Sequence, residues 1–188
     1  MHPILNVHNL SKTFLSSIAC QNDIFVDATC GNGYDALFLA ELAIRHRGKF
    51  YGFDIQQKAL ENTQQRLPNE VDAKLILDNH ANLNLYFAPQ SVGIFMYNLG
   101  YLPRQDKCIT TRKETTIQSL HQALHLLRPL GGIAITCYTG HDAGKEEWIE
   151  LQKFTKQLDP SKFYVTWTTW SNRLNCPEVI LIQKQSTK

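Results

Sequence analysis

The segment Asn98-Leu99-Gly100-Tyr101-Leu102-Pro103 carries residue types that can align an amino group for attack. It follows the apolar run Val92–Tyr97, which is predicted to form a buried strand. An amide oxygen and the next backbone carbonyl can accept the two N–H bonds of an amine, and an aromatic ring can stack on the attached base. The segment therefore predicts an acceptor site for an amine, although a plain turn after a strand has a similar composition.

A second group of residues is typical of a site for an adenosine-containing cofactor. Asp27-Ala28-Thr29-Cys30-Gly31-Asn32-Gly33 joins a predicted strand to a helix, and its glycines allow the backbone to turn tightly and approach a ligand. Asp54 ends the next strand, where it can accept hydrogen bonds from both ribose hydroxyls. Asp78 follows the third strand, where an acidic residue can accept the adenine amino group.

Two cofactors are compatible with this series, S-adenosylmethionine and NAD. Gly31-x-Gly33-x-x-Ala36 also agrees with a dinucleotide fingerprint. Asp27 favours adenosylmethionine, because a carboxylate attracts the ammonium of a methionine tail and would repel a pyrophosphate. No Tyr-x-x-x-Lys motif supports hydride transfer. The sequence therefore favours a methyl donor, with an NAD-binding or nucleotide-binding Rossmann protein as the alternative.

The elements that position these residues alternate between apolar strands and amphipathic helices. Strands are predicted at Ile24–Ala28, Lys49–Phe53, Lys74–Leu77, Val92–Tyr97 and Ile133–Tyr138, and helices at Tyr34–Ile44, Gln57–Leu67, Lys113–Leu127 and Ala143–Leu158. Phe163–Trp170 and Val179–Gln183 are two more strands with no helix between them, so they should be antiparallel. The order is typical of an α/β fold, the Rossmann-like seven-stranded sheet of class I methyltransferases. We expect it to be mostly parallel, with an antiparallel C-terminal hairpin and helices on both faces.

The bulk composition is that of one globular domain over residues 1–188. Residues 1–20 are predicted to form an amphipathic helix packed on the rest. The net charge of +2 permits a nucleic-acid partner without indicating one. Five widely spaced cysteines are typical of a reduced cytosolic protein and form no metal motif, so we expect a soluble, cytoplasmic protein without a metal. Cys30 and Cys137 are interpreted as buried apolar residues, because an amine acceptor needs no cysteine nucleophile.

Read together with Gly52–Gln56, Asp106-Lys107, Ile109–Thr111 and Tyr138-x-Gly140-His141, these segments resemble one family. It comprises small bacterial tRNA methyltransferases that methylate 5-aminomethyl-2-thiouridine at the wobble position and were once described as rRNA methylases. The resemblance extends from about residue 20 to the last strand. Its most specific part is the run from Asn98 to Thr111.

The resemblance implies an S-adenosylmethionine-dependent N-methyltransferase that acts on the anticodon stem-loop of a tRNA; whether it forms a homodimer is open. The implied cofactor-binding residues are Asp27, Gly31, Asn32, Gly33, Asp54, Gln56, Asp78, His80 and Asn98. The implied catalytic residues around the amine are Asn98, Tyr101 and His141. The expected substrate contacts are Leu99, Gly100, Leu102, Pro103, Lys107, Thr110, Thr111 and Arg112.

Two points stay open at the level of sequence. An rRNA or an adenine-N6-type amine is an alternative substrate, because Asn-x-x-Tyr also suits those amines. The group that removes a proton from the acceptor ammonium is His141, Asp106 or water.

Overall fold

The computed structural model describes residues 6–100, 111–140, 142–173 and 176–186. Within these ranges seven strands form one sheet: β1 (Ile24–Asp27), β2 (Lys49–Asp54), β3 (Ala73–Leu77), β4 (Val92–Leu99), β5 (Leu127–Cys137), β6 (Phe163–Thr168) and β7 (Glu178–Lys184). Their order is β3-β2-β1-β4-β5-β7-β6. The pairs from β3 to β5 are parallel, and β7 runs antiparallel to both β5 and β6, as the sequence predicts.

Helices cover both faces of this sheet. They are α1 (Val7–Ile18), α2 (Tyr34–Arg45), α3 (Gln57–Gln64), a 3-10 helix (His80–Leu85), α4 (Lys113–Leu126) and α5 (Asp142–Lys156). One core lies beneath α1, α2 and α3 and includes Leu15 and Leu39, while the other lies beneath α4 and α5 and includes Leu120 and Leu151. None of the helices in the described ranges is long and apolar enough to span a membrane.

Helix α1 runs along β5, from the end of the sheet at which the parallel strands begin toward the end at which they finish. Its last turn packs Phe14 and Ile18 against Gly132 of β5, where a larger residue would collide with both side chains. Its first turn brings His8 within 3.3 Å of the Tyr138 hydroxyl, just beyond the other end of β5. The N-terminal segment therefore reaches the edge at which the parallel strands end.

Two strand boundaries differ from the prediction. β4 continues to Leu99, so Asn98 pairs with Thr136 inside the sheet instead of following the strand. β5 begins at Leu127 instead of Ile133, because a register shift between Val92 and Ile94 accommodates Pro129, Gly131 and Gly132 within the strand. The other boundaries agree within a few residues.

Candidate active site

The loop between β1 and α2 holds its backbone against the end of β2. Gly31 and Gly33 have positive φ angles of 52° and 81°, a conformation that glycine adopts without strain. The Gly31 N–H donates to Asp54 Oδ2 at 2.9 Å, and the Cys30 N–H donates to the Phe53 carbonyl at 2.9 Å. A side chain on Gly33 would also collide with the backbone of Thr63. The predicted loop is therefore present, and its glycines are required by geometry.

Asn32 is held from the side by α3 and the turn that follows it. Arg66 Nε donates to the Asn32 carbonyl at 2.7 Å, and Asn62 Nδ2 donates to Asn32 Oδ1 at 3.3 Å. The Arg66 guanidinium also lies 4.1 Å from the ring centre of Tyr34. The side chain of Asn32 thus helps to fix the loop, a role that the sequence did not separate from ligand binding.

Asp27, the last residue of β1, is a buried carboxyl group with little compensation. Its Oδ1 accepts the Thr29 N–H at 3.0 Å, whereas Oδ2 has no hydrogen-bond partner among the described residues. Burial, followed by the nearby charge of Asp35, raises the pKa of Asp27 from 3.8 to about 8. Such a group is suited to receive a cation from a ligand.

Asp54 joins the loop to the start of α3. Its Oδ2 accepts from Gly31 and its Oδ1 accepts the Gln56 N–H, both at 2.9 Å. Burial raises the pKa of Asp54, and these backbone hydrogen bonds oppose that shift. Each oxygen keeps a further lone pair, so the carboxylate can still accept ligand hydroxyls.

Asp78 is more strongly engaged within the protein. Its Oδ1 accepts from the Asn79 N–H at 2.6 Å and from Asn82 Nδ2 at 2.8 Å, and its Oδ2 accepts the Tyr86 hydroxyl at 2.8 Å. Burial alone would raise the pKa of Asp78, but these three hydrogen bonds outweigh it and lower the pKa. Asp78 therefore shapes the segment after β3 and keeps limited capacity for a ligand.

His80 lies in the protein interior against the Tyr97 ring, with ring centres 5.9 Å apart. Burial lowers its pKa from 6.5 to about 4, so the imidazole is neutral at physiological pH.

Two apolar side chains that the sequence analysis did not select are exposed at the ends of β2 and β3. Ile55 and Leu77 are 53% and 55% exposed, and Leu77 pairs with Asp54 in the sheet.

Asn98 is at the centre of a polar network at the end of β4. Its backbone N–H donates to Thr29 Oγ1 at 2.7 Å, which links it to the loop between β1 and α2. Its Nδ2 donates to Asp35 Oδ2 at 3.0 Å, and Lys12 Nζ lies 3.2 Å from Asp35 Oδ1. Asn98 Oδ1 is buried and has no partner among the described residues. The amide therefore presents a free acceptor atom.

Tyr138 completes this network from the end of β5. Burial and the charge of Asp35 raise its pKa, whereas a hydrogen bond with the Asn98 side chain lowers it. The Tyr138 hydroxyl also contacts His8 Nε2. The sequence analysis used Tyr138 only as part of a family motif, and it did not select His8, Lys12 or Asp35, because no local motif marks residues that meet only through packing.

The expected substrate segment begins and ends at this site. Leu99 is buried and pairs with Cys137, and the Gly100 carbonyl accepts the Thr111 N–H at 3.1 Å. Thr111 is anchored by donating its hydroxyl to Glu147 at 2.9 Å, and the exposed Arg112 precedes α4. The remaining predicted residues, Tyr101, Leu102, Pro103, Lys107, Thr110 and His141, lie outside the described residues, as does Asp106.

Cys137 faces away from the polar network around Asn98, called here the acceptor network. Its thiol donates to the Gly144 carbonyl on the α5 side, and burial raises its pKa from 9.0 to about 12. Burial also raises the pKa of Cys30 well above its usual value. These thiols are not nucleophiles in this environment. Within the described ranges no cluster of three or more metal-ligating side chains occurs.

The comparison with protein families decides the class. The model of the family described as "Putative rRNA methylase" matches residues 50–184. The chain belongs to this family. The family, the fold and the class of enzyme that the sequence predicts are therefore confirmed.

Similar proteins of known structure or name agree. A structure from Clostridium thermocellum, titled "putative rRNA-methylase", is 42% identical with a TM-score of 0.91 over 97% of this chain and 100% of its own. A "putative methyltransferase" from Streptococcus mutans, solved in complex with SAH, is 34% identical with a TM-score of 0.87 over 97% of this chain and 99% of its own. The "tRNA (mnm(5)s(2)U34)-methyltransferase, chloroplastic" of Arabidopsis thaliana is 32% identical over 88% of this chain, which spans 64% of that relative's length.

Proposed function

We propose that this protein transfers a methyl group from S-adenosylmethionine to the primary amine of 5-aminomethyl-2-thiouridine at the wobble position of a tRNA. The observation that carries the proposal is the Asn98 amide, whose Oδ1 is buried and has no partner among the described residues, while its Nδ2 is held by Asp35. A neutral amine matches that acceptor atom, because it brings N–H donors together with a lone pair. The name of the Arabidopsis relative supports the same substrate.

The residues at the ends of β1, β2 and β3 fit S-adenosylmethionine. Asp27 Oδ2 has no partner among the described residues, and it lies near the charge of Asp35. This environment suits the ammonium of the methionine tail and would disfavour a dinucleotide pyrophosphate. The spare lone pairs of Asp54 suit ribose hydroxyls. Ile55 and Leu77 offer exposed apolar surface that an adenine ring would cover. We assign the remaining pocket positions to the backbone of Gly31, Asn32 and Gly33 and to Gln56, Asp78 and His80.

The chain contributes mainly by positioning the acceptor. When bound, S-adenosylmethionine supplies an activated methyl group on its sulfonium. Asn98 Oδ1 and the Leu99 carbonyl would accept the two N–H bonds of the amine, which fixes the direction of its lone pair. An alkylammonium has no lone pair, so it must lose a proton before attack. His141, Asp106 and water are the three routes for this proton.

The segment from Gly100 to Arg112 is assigned to the tRNA. Near its ends, the Thr111 N–H donates to the carbonyl of Gly100, two residues after Asn98. We assign Tyr101 to stacking on the uracil, with Leu102, Pro103 and Thr110 around it. Lys107 and the exposed Arg112 are assigned to phosphates of the anticodon stem-loop. The proposed compartment is the cytoplasm.

One alternative is favoured by a specific observation. The family description names rRNA, and an exocyclic amine of an rRNA base would also match the free oxygen of Asn98. The two substrates differ in the amine and in the surrounding RNA. Methylation of each RNA in a separate sample distinguishes the alternatives.

The experiment is methylation of tRNA from a strain that lacks this gene. The purified protein and S-adenosylmethionine are incubated with this tRNA, with tRNA that lacks the aminomethyl group, and with rRNA. Nucleoside mass spectrometry should detect conversion of 5-aminomethyl-2-thiouridine to its N-methyl form in the first sample alone. Comparable methylation of unmodified tRNA or of rRNA would contradict the wobble-uridine assignment.

A further inference from the structure

We propose that Asp35 is a positioning residue that sets the orientation of the Asn98 amide. We also propose that Lys12 of α1 makes this orientation depend on a carboxylate at position 35. The proposal rests on the proposed function, because it explains how Asn98 comes to present an oxygen to an amine. Asp35 lies in the first turn of α2, at the edge where β4 ends. It belongs to none of the motifs that identify the cofactor loop or the acceptor segment.

The orientation of an asparagine amide follows from its hydrogen-bond partners. An ionised carboxylate only accepts hydrogen bonds, so the Asn98 atom 3.0 Å from Asp35 Oδ2 must be the nitrogen. Tyr138 also contacts this amide, but a hydroxyl can donate or accept and therefore does not select an orientation. Asp35 thus determines that Oδ1, instead of Nδ2, is left for the substrate.

Lys12 adds a second constraint. Its ammonium lies 3.2 Å from Asp35 Oδ1, so the two oxygens of Asp35 are divided between Lys12 and Asn98. An ammonium only donates hydrogen bonds. Whatever group replaces Asp35 must therefore turn an acceptor atom toward Lys12.

This division predicts an unusual result for Asp35→Asn. Lys12 would draw the oxygen of the new amide to itself, which leaves the amide nitrogen facing Asn98. Asn98 would then have to turn its own oxygen toward position 35, and its NH₂ group would face the substrate amine. Two donors would oppose each other, so the variant should fail in turnover although it differs from wild type by one isosteric group.

The same reasoning predicts rescue by a second substitution. Removing the ammonium with Lys12→Met frees the amide at position 35 to turn its oxygen toward Asn98, which restores the original orientation. D35N should lower kcat for aminomethyl-uridine tRNA about 100-fold, with the Kd for S-adenosylhomocysteine unchanged within about threefold. The double variant K12M/D35N should recover at least tenfold of this loss.

The experiment compares kcat and KM of wild type, D35N, K12M/D35N and N98A, with N98A/D35N as a further combination. In the N98A background D35N should have no additional effect on kcat, because Asp35 acts through that amide. The matched control is the combination of D72N with K49M. Lys49 Nζ and Asp72 Oδ2 form an exposed ion pair at 3.6 Å, and removing it should leave kcat unchanged. Thermal unfolding verifies that each variant is folded.

D35N with kcat within threefold of wild type overturns the proposal, and so does a folded double variant that is no more active than D35N. If D35N alone does not fold, K12M/D35N still tests the proposal, since it should turn over within about tenfold of wild type.

Failure of the proposed function has a different signature, because wild type itself would then not methylate the tRNA. In that case hydrogen exchange of the Asn98 side-chain amide, identified by its loss in N98A, tests the orientation: slow exchange in wild type and fast exchange in D35N support it, and equal rates overturn it.

Discussion

Asp23 and Asp27 lie at opposite ends of β1, and their carboxylates have opposite surroundings. Asp23, directly before the strand, is paired with Arg128 through two contacts of 2.6 Å and also accepts the Cys20 N–H at 2.7 Å. Asp27, at the other end, accepts one backbone N–H and leaves Oδ2 without a partner among the described residues. Both side chains are almost completely buried.

The difference separates two uses of a buried charge. At the edge where the strands begin, the Asp23–Arg128 pair satisfies its own atoms and joins β1 to β5 and to the end of α1. At the edge where they end, Asp27 and Asn98 each have a buried oxygen without a hydrogen-bond partner among the described residues. Such atoms cost free energy in the unliganded protein, which a bound molecule can recover. Substitutions at the first edge should therefore change stability, and substitutions at the second should change binding or turnover.

The largest effect should follow Asp54→Ala. Loss of a charged acceptor for both ribose hydroxyls should weaken S-adenosylhomocysteine binding by on the order of 3–6 kcal/mol, with the fold retained. Isothermal titration calorimetry measures this change, and circular dichroism checks the fold. Unchanged affinity would remove Asp54 from the cofactor site.

Arg128→Met tests the opposite edge. It leaves the Asp23 carboxylate buried without its cation, so the free energy of unfolding should fall by about 2–4 kcal/mol. Chemical denaturation measures this loss, and turnover per folded molecule should be unchanged. Lys49→Met is the matched control, because its exposed pair with Asp72 should contribute less than about 1 kcal/mol. A stable but inactive Arg128 variant would contradict the separation of the two edges.

Asn98→Ala should act on turnover alone. Removal of the free acceptor should lower the rate of methyl transfer by about two orders of magnitude, while cofactor affinity stays within a few-fold. Single-turnover kinetics with saturating cofactor measures the step. Wild-type turnover would show that β4 does not carry the amine site.

Asp27→Asn should weaken cofactor binding and, at the same time, stabilise the unliganded protein. The folded pKa of about 8 lies above the unfolded value near 3.8, so between these pH values the unfolded chain binds fewer protons and stability falls as pH rises. Asparagine lacks this dependence. The stability advantage of the variant should therefore be small near pH 4, increase toward pH 8 and then level off.

Thermal unfolding at several pH values, with and without S-adenosylhomocysteine, measures both effects. A variant that is less stable than wild type at pH 8 would mean that Asp27 is satisfied within the fold, as Asp23 is.

The smallest effect should follow Cys137→Ser. The thiol lies on the α5 face of the sheet, opposite to the acceptor network, and an amine acceptor requires no covalent intermediate. Most methyltransferase activity should remain, and stability should fall modestly because a hydroxyl replaces a buried thiol. A folded but inactive variant, or a trapped protein–RNA adduct, would favour cytosine-5 chemistry.

Local patterns were sufficient to predict the elements and most of the fold. The apolar runs gave strands β1 to β4 within two residues at most boundaries, and the absence of a helix before β7 predicted its antiparallel pairing. The predicted start of β5 was wrong because proline and glycine, present here as Pro129 and Gly131, usually interrupt a strand. A register shift after Val92 accommodates both residues within β5. This shift belongs to the pairing of β5 with β4, so the sequence around Pro129 does not show it.

The sequence by itself determined the succession of strands and helices along the chain, the glycine loop and the presence of an amide at the end of β4, because these depend on periodicity and chain connectivity. Only the tertiary structure decided which atom of Asn98 is free, since this depends on Asp35 from α2 and Lys12 from α1. It also decided that Asp23 is paired, through an arginine 105 residues away in sequence, whereas Asp27 Oδ2 has no partner among the described residues. Burial and long-range contacts set the hydrogen bonds and pKa values of these groups, and residue spacing along the chain contains neither.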